Sequence, residues 1–183
     1  MTLRDLLNAD WDRLELLSNE HPRPRGWLSA LNPRFAPIVL LRIAQSLHTC
    51  GWRRTAKLFS LLNVVLFGLE VPARLSIGPG LIIPHAYGTV LGASAIGANV
   101  TIFQQVTLGA TEVDFGFDPG TRPVVEDGVT IAAGAKVLGR VTLGAGCTVG
   151  ANAVVLTDVP SRRLAVGVPA RIVDKRGIDH VQP

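Results

Sequence analysis

The sequence predicts an all-β solenoid: a parallel β-helix of about four coils that follows an α-helical segment and precedes a tail. Three observations predict it: a six-residue repeat that runs from Ile77 to Pro160, a composition of small and aliphatic residues, and two breaks in the repeat. We divide the chain into a helical segment over residues 1–69, the β-helix over 70–160 and a tail over 161–183.

The composition is that of a folded chain with a core of small side chains. Hydrophobic residues make up 48% of the chain and charged residues 17%, which excludes a disordered protein. Aromatic residues are only 5%, beside 19 glycines, so aliphatic side chains must fill the core. The basic residues are not interleaved with stacking aromatics, and we expect no nucleic-acid partner.

The helical segment is apolar and basic. Its first residues mix acids and bases at helical spacing and lack the features of a signal peptide, so we expect a cytoplasmic protein. Residues 21–69 contain seven basic side chains and no acid. Two interpretations stay open for them: peripheral contact with an anionic membrane surface, or packing helices with solvated charges. The longest apolar run, residues 58–69, is too short for the ~20 residues of a membrane span.

The repeat consists of twelve units that each begin with an aliphatic residue. The units are IGPGLI, IPHAYG, VLGASA, IGANVT, IFQQVT and an incomplete one from Leu108, then VEDGVT, IAAGAK, VLGRVT, LGAGCT, VGANAV and VLTDVP. A period of six fits neither an α-helix nor simple alternation, but it fits a short strand followed by a sharp turn. The periodicity does not reveal the handedness of the coils.

Two breaks interrupt the repeat. One extra residue at Gly88/Thr89 predicts a bulge just after His85. Residues 109–124 are polar and rich in Gly, Pro and Asp, which predicts a protruding loop. Such a loop is either a tolerated surface insertion or part of a functional site.

His85 is the candidate catalytic residue, because it alone of the four histidines lies within the repeats. It occupies the third position of its unit, where side chains should face outward, and an imidazole can accept a proton near neutral pH. A structural role is the alternative. Glu70 is the nearest carboxylate that could orient the imidazole, and a solvated Glu70 is the alternative there.

Other chemistries are not supported by the sequence. A zinc-dependent hydratase on the same scaffold would need three histidines as ligands, so we expect no metal. Cys50 and Cys147 have neither a disulfide nor a zinc spacing. Cys147 fills the small fifth position of its unit and should point into the core. A non-catalytic scaffold remains an alternative.

Three stretches carry a resemblance to a known family: residues 77–109, residues 125–160 and the closing GVPARIV. They resemble the serine acetyltransferase branch of the left-handed β-helix acyltransferases, over about 100 residues from Glu70 to Val173. The resemblance implies left-handed coils, acetyl-CoA as donor, and a homotrimer with the donor in a groove between prisms. It also implies that His85 is the general base and that Glu70 supports it.

The resemblance extends to the donor site. Backbone N–H groups near Gly109 and Ala110 would stabilise the oxyanion, and the small corner residues Ala133 and Ala151 would let pantetheine pass. The CoA phosphates would meet a basic tail, whose alternative is simple solvation. The tail residues concerned are Arg171, Lys175 and Arg176.

The expected acceptor differs from that of the family. Pro84 stands where serine acetyltransferases have Asp, and Thr121–Arg122–Pro123 stands where they have Arg-His-Pro. The shorter segment before Glu70 resembles colanic acid and other exopolysaccharide acetyltransferases. We therefore expect O-acetylation of a sugar or exopolysaccharide hydroxyl, with Tyr87 and Arg122 contacting the acceptor. Serine O-acetylation is the alternative.

Overall fold

The computed structural model describes residues 1–18 and 23–174, so Lys175 and Arg176 lie outside the described residues. Three α-helices precede the repeats: α1 (Leu3–Ser18), α2 (Ala36–Thr49) and α3 (Arg53–Phe67), with a 3-10 turn at Trp27–Leu31. Glycine at position 68, with φ 63°, ends α3 in the left-handed conformation that a helix C-terminus favours. The predicted helical segment is confirmed. No helix within the described ranges has both the length and the apolar character that a bilayer span requires.

The rest of the described chain forms fourteen short strands. They are β1 (Leu69–Glu70), β2 (Ser76–Ile77), β3 (Thr89–Leu91), β4 (Ala95–Ile96), β5 (Thr101–Ile102), β6 (Thr107–Gly109), β7 (Val124–Val125), β8 (Thr130–Ile131), β9 (Lys136–Leu138), β10 (Thr142–Leu143), β11 (Thr148–Val149), β12 (Val154–Val155), β13 (Arg163–Val166) and β14 (Arg171–Asp174). A further 3-10 turn spans Pro119–Thr121 in the loop between β6 and β7.

The strands form three sheets that successive strands visit in turn. Sheet A has the order β1-β3-β6-β9-β12, sheet B has β2-β4-β7-β10, and sheet C has β5-β8-β11-β13-β14. All neighbours are parallel except β13 and β14, which are antiparallel. Strands that follow each other along the chain lie in different sheets, and the strands within each sheet pair in parallel. The chain therefore winds as a solenoid. The predicted parallel sheets are therefore confirmed, and β13 extends sheet C into the segment expected as the tail.

The core is a set of stacked aliphatic columns, one for each sheet. Each column is in register because a unit on one coil pairs with the corresponding unit on the next. The columns are Leu91–Leu108–Val137–Val155, Ile77–Ile96–Val125–Leu143 and Ile102–Ile131–Val149–Ala165, all buried. Cys147 is also buried among them, as predicted.

A buried ion pair joins the helices to the first coil. Arg42 Nε donates to Asp10 Oδ2 at 2.8 Å, and both side chains are fully shielded from solvent. Asp10 also accepts from the Leu81 amide at 2.8 Å, and Arg42 donates to the Ile77 carbonyl at 2.8 Å. The helices thereby cover one end of the solenoid, which would otherwise expose strand edges. Arg42 is thus not one of the solvated or membrane-facing charges that the sequence suggested.

Candidate active site

The turns from sheet C to sheet A stack into one edge of the solenoid, which we call the His85 edge. It consists of the turns 85–88, 104–105, 133–134 and 151–152. Each turn contains one residue in the left-handed region: Gly88 at φ 74°, Gln105 at 60°, Gly134 at 74° and Asn152 at 57°. Gly and Asn tolerate this conformation best, so the sequence favours sharp corners here.

Backbone hydrogen bonds hold these turns one above the other. The Gln105 amide donates to the Tyr87 carbonyl at 3.2 Å, and the Asn152 amide donates to the Ala133 carbonyl at 2.9 Å. His85 lies in the first turn of the series with its side chain exposed. Ala133 and Ala151 therefore lie along the same edge as His85, further along the solenoid.

Glu70 lies on β1, the first strand of sheet A. This strand follows α3 after Gly68, and Glu70 lies opposite Val90 in the parallel pair of β1 with β3. The Gly88 amide donates to the Gly68 carbonyl at 3.0 Å. A Cβ on Gly68 would lie 2.9 Å from Cδ2 of Tyr87, so this ring closely approaches the bare backbone. The junction of α3 and β1 thus packs on the turn that carries His85, although no hydrogen bond joins Glu70 to His85 in the described part of the chain.

A cavity of about 330 Å³ lies on the outer face of sheet A. Of the expected site residues, Glu70, Gly109, Ala110 and Arg122 line it, and His85 does not. A Cβ on Gly109 would meet nothing within 4 Å, so space remains over this strand. The lining residues that the sequence reasoning missed include Arg74, Asp114 and Phe117.

The cavity is lined by charges of both signs. Glu70 and Asp114 supply carboxylates, and Arg74 and Arg122 supply guanidinium groups. Arg74 lies over the Phe117 ring, 4.3 Å from its centroid. Such a cavity can hold a molecule that carries both a positive and a negative group.

Arg122 is buried and holds the loop between β6 and β7 in place. Its Nη2 lies 2.9 Å from Asp114 Oδ2, its Nη1 donates to the Gly92 carbonyl at 3.0 Å, and its guanidinium lies 4.0 Å from the centroid of the Phe117 ring. Burial raises the pKa of the Asp114 carboxyl, but hydrogen bonds from the Asp118 amide and from Arg122 outweigh it and bring the pKa below its usual range. The pair therefore braces the loop from within, and the hydrogen bond from Arg122 to the Gly92 carbonyl ties the loop to the solenoid.

The remaining expected residues are distributed along or near the His85 edge. Tyr87 is exposed, Ala133 is half-buried and Ala151 is exposed. Arg171 is exposed and begins β14, just after a turn whose Gly167 carbonyl accepts from the Val154 amide at 3.0 Å. Gln104 was not foreseen: its Oε1 is buried on this edge and has no hydrogen-bond partner among the described residues.

The family of the chain follows from comparison with known proteins. Residues 122–157 match the model of the bacterial transferase hexapeptide (six repeats) family. A serine acetyltransferase of Helicobacter pylori (strain J99 / ATCC 700824) is 38% identical over 166 residues, which are 88% of this chain and 95% of that protein. The chain belongs to the serine acetyltransferase family. A Bacillus subtilis (strain 168) serine acetyltransferase is 42% identical over 138 residues, and this match covers 74% of the chain but only 62% of that relative.

Solved structures of serine acetyltransferases have the same fold. One in complex with CoA matches 93% of this chain and 69% of its own, with 33% identity and a TM-score of 0.79. Soybean serine acetyltransferase complexed with serine matches 93% of this chain and 69% of its own, with 35% identity and a TM-score of 0.80.

These comparisons overturn two expectations from the sequence. The predicted sugar or exopolysaccharide acceptor is wrong, and the resemblance to colanic acid acetyltransferases is not supported, because the relatives are serine acetyltransferases. The short helical segment does not argue against serine as the acceptor, since 95% of the Helicobacter pylori serine acetyltransferase aligns with this chain.

Proposed function

We propose that the protein transfers the acetyl group of acetyl-CoA to the hydroxyl of L-serine. The observation that carries this proposal is the similarity, over 88% of this chain, to a serine acetyltransferase of nearly equal length. The chain spans about three-fifths of the Bacillus subtilis relative, so the activity is an inference from the shared part. The cavity with charges of both signs supports a zwitterionic acceptor.

His85 acts as the general base. Its imidazole takes the proton of the serine hydroxyl while the hydroxyl oxygen attacks the thioester carbonyl of acetyl-CoA. The tetrahedral intermediate then collapses, the C–S bond breaks, and the imidazolium returns the proton to the departing CoA sulfur. No covalent enzyme intermediate is formed. Backbone N–H groups near Gly109 and Ala110 stabilise the negative oxygen of the intermediate.

Glu70 supports His85 as a positioning residue. A carboxylate near the imidazole fixes its tautomer and stabilises the imidazolium that forms in the transition state. The packing of the turn 85–88 on the junction of α3 and β1 supports this role, because it brings both residues to one end of sheet A.

Serine is held by the charged groups of the cavity. Arg74 pairs with the serine carboxylate, and the carboxylate of Asp114 faces its ammonium group. Arg122 and Tyr87 contribute to the acceptor site, Arg122 chiefly by holding the loop through Asp114. A site with paired polar groups discriminates strongly against acceptors that lack them.

Acetyl-CoA lies along the His85 edge, past Ala133 and Ala151, with its phosphates toward Arg171 and Lys175. The stacking of these turns supports this path, because it runs in one direction away from His85. The coils are left-handed and number about four, and three chains assemble into a homotrimer with the donor groove between prisms, as the resemblance implies. No metal takes part, and the protein works in the cytoplasm.

A panel of acceptors tests the proposal. We expect release of CoA thiol from acetyl-CoA with L-serine, and little release with free sugars, nucleotide sugars or no acceptor. Arg74→Met should raise the KM for serine about tenfold, since it removes a charged partner of the carboxylate. The matched control is Arg54→Met, an exposed position on α3 that does not line the cavity. Faster transfer to a sugar than to serine would contradict the proposal.

A further inference from the structure

A second cavity, of about 550 Å³, lies between the end of α2, the start of α3 and the segment 72–74. Among the described residues its lining is strongly basic and contains no carboxylate. The lining residues are His48, Arg53, Lys57, Ser60, Pro72, Ala73 and Arg74. Three of these side chains carry a permanent positive charge, and a histidine joins them, so the cavity attracts anions.

The basic side chains of this cavity lack acidic partners. None of Arg53, Lys57 and Arg74 forms an ion pair with any residue in the ranges 1–18 and 23–174. Arg53 and Lys57 are four residues apart on one face of α3, where like charges destabilise a helix. No acidic residue occurs between positions 21 and 69 to relieve this repulsion. An anion bound between these side chains would relieve it.

Ser60 provides an independent observation. It follows Lys57 by three residues, on the same face of α3, and it lines the cavity. Its Oγ is shielded from solvent, yet it has no hydrogen-bond partner in the described part of the chain. Buried hydroxyl groups normally have a partner. An anion oxygen in the cavity would accept this hydrogen bond.

We propose that this cavity binds a phosphate group. Arg, Lys and His side chains together with a hydroxyl are the donors that phosphate oxygens prefer, and a dianion suits the two cations, Arg53 and Lys57, that line this cavity alone. The site is separate from the proposed donor path, which runs along the His85 edge toward Arg171, and it adjoins the proposed acceptor site, because Arg74 lines both cavities. The group belongs either to a soluble phosphate compound or to a lipid headgroup, because exposed apolar residues of α3 accompany the cavity. The most exposed of these are Val65 at 71%, Leu66 at 62% and Leu61 at 57%.

Calorimetric titration of the full chain with inorganic phosphate, at fixed ionic strength, tests the proposal without reference to catalysis. Lys57→Glu should weaken phosphate binding by about tenfold or more, since it replaces a lining cation by an anion. The matched control is Arg54→Glu, which makes the same change of net charge on the same helix but does not line the cavity. Its binding should stay within about twofold of the wild type, because a solvated charge is screened.

Two further measurements keep the test decisive. Ser60→Ala changes no charge and should also weaken phosphate binding, so a loss seen in both Ser60→Ala and Lys57→Glu does not depend on misfolding.

Vesicles of phosphatidylcholine with and without phosphatidic acid identify a lipid source. Only the vesicles that contain phosphatidic acid should retain the protein, and Lys57→Glu should abolish this retention. Binding of phosphate in solution, or of phosphatidic acid vesicles, supports the proposal. Absence of both, equal loss in Lys57→Glu and Arg54→Glu, or equal loss of acetyl-CoA binding would overturn it.

Discussion

Asp114 braces the long loop between β6 and β7 from within, because its side chain pairs with Arg122 of the same loop. The hydrogen bonds from Arg122 and from the Asp118 amide favour its ionised form over its protonated form. Asp114, Phe117 and Arg122 all line the cavity, so this ion pair is part of the candidate acceptor site.

Titration of Asp114 gives a prediction for this residue. Its pKa should lie below the ordinary value of 3.8, and Arg122→Gln should raise it toward that value. A depressed folded-state pKa means that this carboxylate stabilises the fold above about 3.8, and that the contribution is lost as the pH falls through the folded-state pKa. Carboxyl ¹³C NMR measures both values, with Arg140→Gln as an exposed control. Titration of wild-type Asp114 at or above 3.8 would contradict the assigned pair.

The pairing of Glu70 with His85 was predicted from their spacing. Glu70 lies fifteen residues before His85, which the period of six makes close to one coil, and their proximity stays a prediction, since His85 does not line the cavity that contains Glu70. Arg74, Asp114 and Phe117 could not be predicted, because they lie in irregular segments whose paths no periodicity describes. Their common cavity depends on the tertiary contact of Arg122 with Gly92.

The corners of the His85 edge illustrate how the elements are fixed. Each corner places one residue at positive φ, so the chain turns sharply at the equivalent position of every coil. At Gly134 a Cβ would also clash with the Oδ1 of Asn152 in the next turn. The turn therefore favours glycine at this position, and a larger residue would also require the Asn152 side chain to move.

Substitution of Gly134 by alanine tests whether this corner constrains the backbone. Gly134→Ala should lower the free energy of unfolding by about 1–3 kcal/mol, because alanine is strained at positive φ. Gly26→Ala is the matched control, since a Cβ there meets nothing within 4 Å, and its effect should stay within about 0.5 kcal/mol. Denaturant unfolding measures both changes. Equal stability of the two variants would show that the corner is not constrained in this way.

The elements outside the repeat were predicted less completely. The composition of residues 1–69 indicated helices, but it could not show that Arg42 and Asp10 form a buried pair, because these residues are 32 positions apart. The apolar spacing in α3 also did not reveal which face is covered. Only Ala56 and Asn63 of α3 are buried, so most of this helix faces outward.

At the scale of the whole molecule, the two ends of the solenoid differ. The helices cover the first coil through Asp10 and Arg42, and the antiparallel pair of β13 and β14 extends sheet C at the opposite end. Between these ends the His85 edge and the charged face of sheet A lie beside each other. This arrangement places the proposed donor path and the proposed acceptor site on adjoining surfaces.

The central claim is that the imidazole of His85 removes the proton from serine. It is tested most directly by comparing steady-state acetyl transfer to L-serine by the wild-type protein and by His85→Ala, after light scattering and circular dichroism have shown the same assembly and fold. We predict a fall in kcat of about 10²–10⁴-fold with little change in the KM for acetyl-CoA, as expected for loss of a general base. A correctly folded His85→Ala protein that keeps more than about a tenth of the wild-type kcat would contradict the claim, because the base would then have to be another group.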